Sequence, residues 1–504
     1  MHVYERLARN TVSNFIFKPI NIAISLIAIG VLIRVLGKEK YGILLLAGTV
    51  TGQFFAFDFG LVGGLLKFIP QFKAEGNTGK INSAICAAFM IFICLGIVVC
   101  IAISIFTYFE GTKIFKVDAQ HYNSAKSILY FAALGALVLW PSKVVTTSLK
   151  AFNKFHVLNI INSIEVLFRQ SIWIICSITG MKVEYIFLAG YILPLLIFFA
   201  IRAGILKASF KQLEFKFGRQ LFAILKQIWQ YSSWILISNL SVMLKYQADR
   251  FVVSLLLGVS NLAIYHVIQR AFVFVIEITI LLKKALLPVA SELYTKNSSQ
   301  FQELLVRGSR MANALYAPLV GVLIILIEPL MRYWVGSEYR NYYWLMRIVL
   351  IYSLLVYTGF FLSAGARTIH TVAKFQAKFG VISAGIFITL MIVLTKIYGL
   401  YGAVLSHVFS GLITMPLGYH YILKHSNITW RQFLTQATFK GQRTTWFLLL
   451  VLAPFISVIN QLSDWMFALV GFCISVAFLS FSWFWCIDSK VKGRLQGYFA
   501  IWCV

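Results

Sequence analysis

About fourteen stretches of this chain are apolar for long enough to cross a bilayer, and several carry lysine, arginine or carboxylate side chains within them. They lie near residues 11–33, 41–66, 82–108, 127–149, 155–179, 183–205, 231–257, 262–286, 311–334, 343–366, 375–396, 400–423, 444–460 and 465–487. With 60% hydrophobic and only 12% charged residues, the chain cannot be a soluble globular protein of 504 residues. The expected fold is an all-α polytopic membrane protein, because a lipid-facing segment must satisfy its own backbone. A charge facing hydrocarbon costs a few kcal/mol or more, so charges inside spans mark a watery or substrate-filled interior. That points to a transporter.

The net charge of +28 would suggest nucleic acid if it were gathered on one domain. Here the basic residues are spread over short inter-span segments, which points to membrane orientation and away from a nucleic-acid partner. The segments on the side of the N-terminus hold most of them, including Arg202, Lys207, Lys211, Lys216, Arg219 and Lys226 between spans six and seven. By the positive-inside rule both termini are cytoplasmic, which requires an even number of spans in a bacterial plasma (inner) membrane. Lys18-Pro19 interrupts the first span early, so it reads as a retained helix and not as a cleavable signal.

The chain repeats itself at half length. Leu36-Gly37 with Tyr41-Gly42-Ile43-Leu44 after span one matches Leu257-Gly258 with Leu262-Ala263-Ile264-Tyr265 after span seven, at one constant offset. Spans two and eight both end near a proline, Pro70 and Pro288. A looser match sets Ser148-Leu149-Lys150-Ala151 through His156 against Ser363-Ala364-Gly365-Ala366 through His370. The expected organisation is a six-helix lobe over 1–206, an amphipathic cytoplasmic linker over 207–230, a second six-helix lobe over 231–424, and two added spans with a tail over 425–504. Six spans per half is even, so the pseudo-two-fold axis runs along the membrane normal with the substrate path between the halves. The linker alternates bases with Phe210, Leu213, Phe215, Phe217, Phe222 and Trp229, a pattern suited to an anionic membrane surface.

Residues three, four, seven and eleven apart share a helix face. Asn14, Lys18, Asn21 and Ser25 do so in span one, and His266, Arg270, Glu277 and Lys284 in span eight. Span seven offers Ser238, Lys245 and Asp249 with Arg250 beside them, span five Asn162, Glu165 and Arg169, and span two Thr51 and Asp58. Glu165 with Arg169 and Lys245 with Asp249 are spaced as intrahelical ion pairs, and each pair is as readily structural as functional. Lys18, Arg270, Asp58 and Glu277 have no same-helix partner at four-residue spacing, so they pair across helices or meet a ligand or ion. His266, at a span end, reads as interfacial.

Gly48-xxx-Gly52 in span two is a step at which helices approach closely. Prolines at 19, 141, 194, 318, 416 and 454 fall within or at the edge of spans and can serve as hinges. Gly76-Asn77-Thr78-Gly79-Lys80 imitates a phosphate loop, but Ala74 replaces the first glycine and Ile81 the Ser/Thr, leaving a cytoplasmic turn. Neither HExxH nor GxSxG occurs, and the seven cysteines have no metal or redox spacing. No enzyme, metal or cofactor is expected.

These features resemble the polysaccharide-transporter, or lipid-linked oligosaccharide flippase, branch of the multidrug/oligosaccharidyl-lipid/polysaccharide exporter superfamily. The residues that carry the likeness are Arg34-Val35-Leu36-Gly37 with Tyr41-Gly42-Ile43, Phe57-Asp58-Phe59-Gly60-Leu61, Asp249-Arg250 with Leu257-Gly258, Leu287-Pro288-Val289-Ala290-Ser291, and Gly399-Leu400-Tyr401-Gly402-Ala403. The resemblance covers about 1–425 and implies a V-shaped pair of lobes whose cavity is lined by spans one, two, seven and eight. It implies substrate contacts from Lys18, Lys245, Arg250 and Arg270, to which the polar stripes add Arg169, Asn14 and Asn21. Asp58, Asp249, Glu277 and Glu165 are the candidates for proton or sodium coupling.

The expected activity is alternating-access translocation of a polyprenyl-diphosphate-linked oligosaccharide to the outer leaflet, working among membrane lipids and alongside polysaccharide polymerase machinery. An anion leaving a negative interior gains roughly 2.3 kcal/mol per charge per 100 mV. The alternatives are a cation-coupled exporter of drugs or metabolites, a lipid-II-type flippase, and a non-transporting scaffold, for which unpaired intramembrane charges have no evident use.

Overall fold

The computed structural model describes residues 3–54, 61–212, 214, 224, 247–284, 286–462 and 464–486. Among the described residues the chain is helical throughout, with no strand. Its helices are α1 (Val3–Phe54), α2 (Leu61–Ala74), α3 (Thr78–Tyr108), α4 (Tyr122–Ala151) and α5 (Phe155–Ile178). Next come α6 (Val183–Ser209), which passes through a π-helical turn at Leu188–Ile192, α7 (Ala248–Leu257), α8 (Val259–Lys284), α9 (Leu286–Lys296) and α10 (Ser298–Trp334). Then follow α11 (Tyr343–Val356), α12 (Phe360–Gly365), α13 (His370–His425), α14 (Trp430–Ile459) and α15 (Asp464–Cys486).

Eleven helical segments among the described residues are long and apolar enough to cross a membrane. Two of them hold two expected spans each: Phe17–Gly52 is broken at Gly37, and His370–His425 at Gly399. Most of span seven lies outside the described residues, and α7 is its end. The described residues thus account for thirteen of the fourteen spans read from the sequence.

The breaks have a backbone cause. Gly37 (φ 74°, ψ 171°) and Gly258 (φ 88°, ψ 175°) adopt the same conformation, one that side-chain-bearing residues essentially never take. These are the paired glycines of the repeat motif, so the two halves turn on one device. The phosphate-loop mimic is a turn: Gly76 sits at φ 67°, and the Asn77 Oδ1 accepts from the Lys80 amide at 2.9 Å to cap α3.

The described chain divides into two compact units, Met1–Tyr265 with Met391–Leu400, and His266–Leu390 with Tyr401–Val504. The first has a core of aliphatic and aromatic side chains from α1 to α6, with Trp140, Phe72, Phe92 and Phe115 fully buried. Of the linker, the backbone of Glu214 is bracketed by the Asn82 side chain, and Ile224 is buried in this core. Residues 207–209 continue α6, and Phe210 is buried in the core and stacked on Phe152, which corrects the surface-facing expectation for it; residues 213, 215–223 and 225–230 fall outside the described residues. Close backbone packing occurs at Gly42, where a Cβ would lie 2.0 Å from the Val259 carbonyl oxygen. Among the described residues none is seen at the Gly48-xxx-Gly52 step: no described atom lies within 4 Å of the Cβ position at Gly48, and at Gly52 the described neighbour is the Gln247 side chain. The GxxxG spacing is satisfied by any small-residue stripe, whereas tight contact needs a partner backbone on that face.

In the second unit the two spans outside the repeat are built into the core. The Gln442 Nε2 lies 3.0 Å from the Asn313 Oδ1, the Tyr316 hydroxyl and the Leu354 carbonyl, and Asn313 donates to the Thr358 and Ala437 carbonyls. Ser482 on α15 donates to the Ala314 carbonyl at 2.6 Å. A buried polar group that is fully hydrogen-bonded fixes one arrangement of its helices. Spans thirteen and fourteen are therefore seated on α10.

Candidate functional site

In the first unit, α5 and α6 carry a cross-helix charge cluster. Arg202 on α6 is only 7% exposed; its Nη2 donates to the Glu165 carboxylate and, at 2.7 Å, to the Asn162 Oδ1. The sequence places Arg202 among cytoplasmic basic residues and pairs Glu165 with Arg169. The Glu165–Arg169 pairing is corrected, because α6 continues helical to Ser209 and keeps Arg202 beside α5, where it takes the Glu165 carboxylate. Arg169, half-buried one turn along α5, has no carboxylate partner among the described residues, and its Nε is buried without a hydrogen-bond acceptor. On α1, Lys18 and Asn21 are both half-buried, and the Asn21 Oδ1 is buried without a described donor.

A second cluster sits where α7 meets α8. Asp249 is fully buried; its Oδ2 accepts from the Tyr265 hydroxyl at 2.9 Å and its Oδ1 from the Arg250 amide at 2.8 Å. Tyr265 was not singled out in the sequence, although it is the tyrosine that closes the repeated motif. Arg250 is half-buried. At the Gly37 end of this unit, the Glu39 carboxylate accepts from Ser260 and, at 3.2 Å, from the Asp118 amide. Lys116 donates to the Leu256 carbonyl at 2.7 Å, capping α7. The chain between α3 and α4 is thus tied to both repeated turns. Within it, the Lys113 ammonium holds the exposed Glu110 carboxyl below its ordinary range.

In the second unit, α8 carries His266, Arg270 and Glu277. The Arg270 Nη2 lies within hydrogen-bond reach of the His266 Nε2, and Arg270 and Glu277 are half-buried. His266 is 4% exposed, so the interfacial reading is replaced by a buried imidazole against a guanidinium. Asp58 and Lys245 lie outside the described residues, as do the side chains of Asn14 and Lys284. Chemically, the described spans offer half-buried cations at Lys18, Arg169, Arg250 and Arg270, while Glu165 and Asp249 are already engaged by protein donors. Among the described residues no group of three His, Cys, Asp or Glu side chains is placed to hold a metal ion.

The sequence matches the family described as polysaccharide biosynthesis protein over residues 31–343. It is 21% identical over 417 residues to a candidate O-antigen transporter of Shigella flexneri, covering 79% of this chain and 94% of that one. Among solved structures, a lipid II flippase, MurJ, in an inward closed conformation aligns with a TM-score of 0.64 at 16% identity, over 94% of this chain and 97% of its own. An inward-facing multidrug resistance transporter of the MATE family, MOP superfamily, aligns with a TM-score of 0.63 at 13% identity, over 81% and 94%. The chain shares the fold of these solved transporters, as the resemblance implied.

Proposed function

Because the chain belongs to the polysaccharide biosynthesis protein family, we propose that it is a membrane flippase that carries a polyprenyl-diphosphate-linked oligosaccharide from the cytoplasmic to the outer leaflet. The observation that carries this reading is a set of half-buried cations: Lys18 and Arg169 in membrane-spanning helices of the first unit, Arg250 on α7, and Arg270 in a membrane-spanning helix of the second. Basic side chains at that depth are costly unless they meet an anion, and a diphosphate is an anion that a lipid carrier brings there. The pairing of Glu165 with Arg202 strengthens the reading, since it leaves Arg169 without a carboxylate partner among the described residues. The S. flexneri relative, described as a candidate O-antigen transporter, supports a surface-polysaccharide substrate.

Both termini are cytoplasmic in this scheme and the membrane is the bacterial inner membrane. Asn14, Asn21 and Lys245 complete the substrate contacts, and Asp58, Asp249, Glu277 and Glu165 are the groups through which proton or sodium coupling would act. Of these, Asp249 and Glu165 would have to exchange the Tyr265 and Arg202 contacts for an ion. Polysaccharide polymerases would take the product.

The test is the double substitution Lys18→Ala with Arg270→Ala, followed by the amount and leaflet of lipid-linked oligosaccharide in cells. The expected outcome is accumulation on the cytoplasmic leaflet with loss of surface glycan. Near-normal flipping in the double mutant overturns the assignment. The mass of the accumulated lipid separates a surface-polysaccharide unit from a lipid-II-type precursor, and an unchanged pool with loss of dye resistance would favour a cation-coupled exporter.

A further inference from the structure

A cavity of about 460 Å³ lies within the first unit, walled by α1, α3, the chain just after α3, and α7. Four phenylalanines, Phe54, Phe106, Phe115 and Phe251, line it together with Val50 and Ala102. Phe115 stands edge-on to both Phe106 and Phe251, with ring centroids 6.0 Å apart in each pair. An apolar cavity of roughly 150 Å³ accepts one benzene, so this one has room for about three such groups, or about eighteen carbons. Water needs two to four polar partners, and among the described residues no lining side chain offers one. Hydrocarbon is the occupant such walls favour, and membrane-spanning helices put it within reach of lipid.

Two further features narrow the occupant. Phe251 follows Asp249 and Arg250 directly on α7, so the residue next to the apolar wall on that helix is a half-buried cation. The cavity also has the capacity of one short chain segment, whereas a phospholipid would have to leave its second chain outside. We propose that this cavity seats the polyprenyl chain of the substrate, holding the three or four isoprene units nearest the diphosphate, with Arg250 serving that diphosphate. The inference rests on the flippase reading and adds a tail subsite to it.

The experiment uses the full-length chain in nanodiscs with a diazirine-bearing polyprenyl diphosphate. Photolabelling is expected on the α3 and α7 peptides that contain Phe106 and Phe251. It should be displaced by unlabelled polyprenyl diphosphate but not by phosphatidylglycerol, and lost in Ala102→Trp, which fills the cavity. Val50→Phe serves as the second filling variant should Ala102→Trp fail to fold. Labelling elsewhere, labelling that survives both filled variants, or equal displacement by phosphatidylglycerol overturns the tail subsite. A parallel leaflet assay on the unmodified protein keeps the two failures apart. If lipid-linked saccharide still crosses, only the subsite is lost; if it does not cross, the flippase reading falls and the inference with it.

Discussion

Arg202 is the residue whose role changes most between sequence and structure. At the end of an apolar stretch it counts as one more cytoplasmic cation, but folded it is buried against Glu165 and Asn162. Removing one member of a buried ion pair strands the other charge and costs about 3–5 kcal/mol. Arg202→Met should therefore lower the thermal unfolding midpoint in detergent sharply, and Arg202→Met with Glu165→Leu should recover most of the loss. A double variant no more stable than the single one would mean that the pair contributes little. The intrahelical pairing of Glu165 with Arg169 was legible only as spacing, because periodicity reports which residues share a face and not what stands on the neighbouring helix. The stripes themselves were legible: Lys18, Asn21, Arg169, Asp249, Arg270 and Glu277 are all partly or fully buried in helices.

At the scale of elements, the repeated turns were readable because glycine is required there. Gly37 and Gly258 share a conformation closed to other residues, and a conserved-looking Leu-Gly in two places has a stereochemical reason. The position that matters for packing was not readable, since Gly42 and Gly48 look alike in sequence. Gly42→Ala would drive a Cβ into the Val259 backbone and should destabilise by about 1–3 kcal/mol or more, as overpacking does. Gly37→Ala should cost about 1–3 kcal/mol through its backbone conformation. Gly48→Ala, with open space on its face, should instead stabilise by about 0.5–1 kcal/mol. Thermal midpoints of the three single variants in one detergent would check the order, and a Gly48→Ala variant as damaged as Gly42→Ala would refute it. The last two spans were legible as spans but not as part of a core, because Gln442, Asn313 and Tyr316 are scattered in sequence and meet only in the folded unit.

For the whole molecule, composition and charge distribution were enough to announce a helical membrane protein, and thirteen of the fourteen expected spans are accounted for among the described residues, although two pairs of them each run through one glycine-broken helix. Orientation rests on the loop charges. Alkaline phosphatase fused after Gly76 should be inactive and fused after Lys113 active, since the first turn is assigned to the cytoplasm and the second to the outer face. The reverse pattern would invert the assigned direction of transport. The cross-helix pair in the first unit bears also on how the chain is made. Glu165 and Arg169 leave the ribosome in span five, and Arg202 follows 37 residues after Glu165. Alone at a helix centre, each such charge opposes partition from the translocon by about 2.5–3.5 kcal/mol. Insertion of spans five and six together as a hairpin would match Glu165 with Arg202 and leave Arg169 the one charge of the three still to be met.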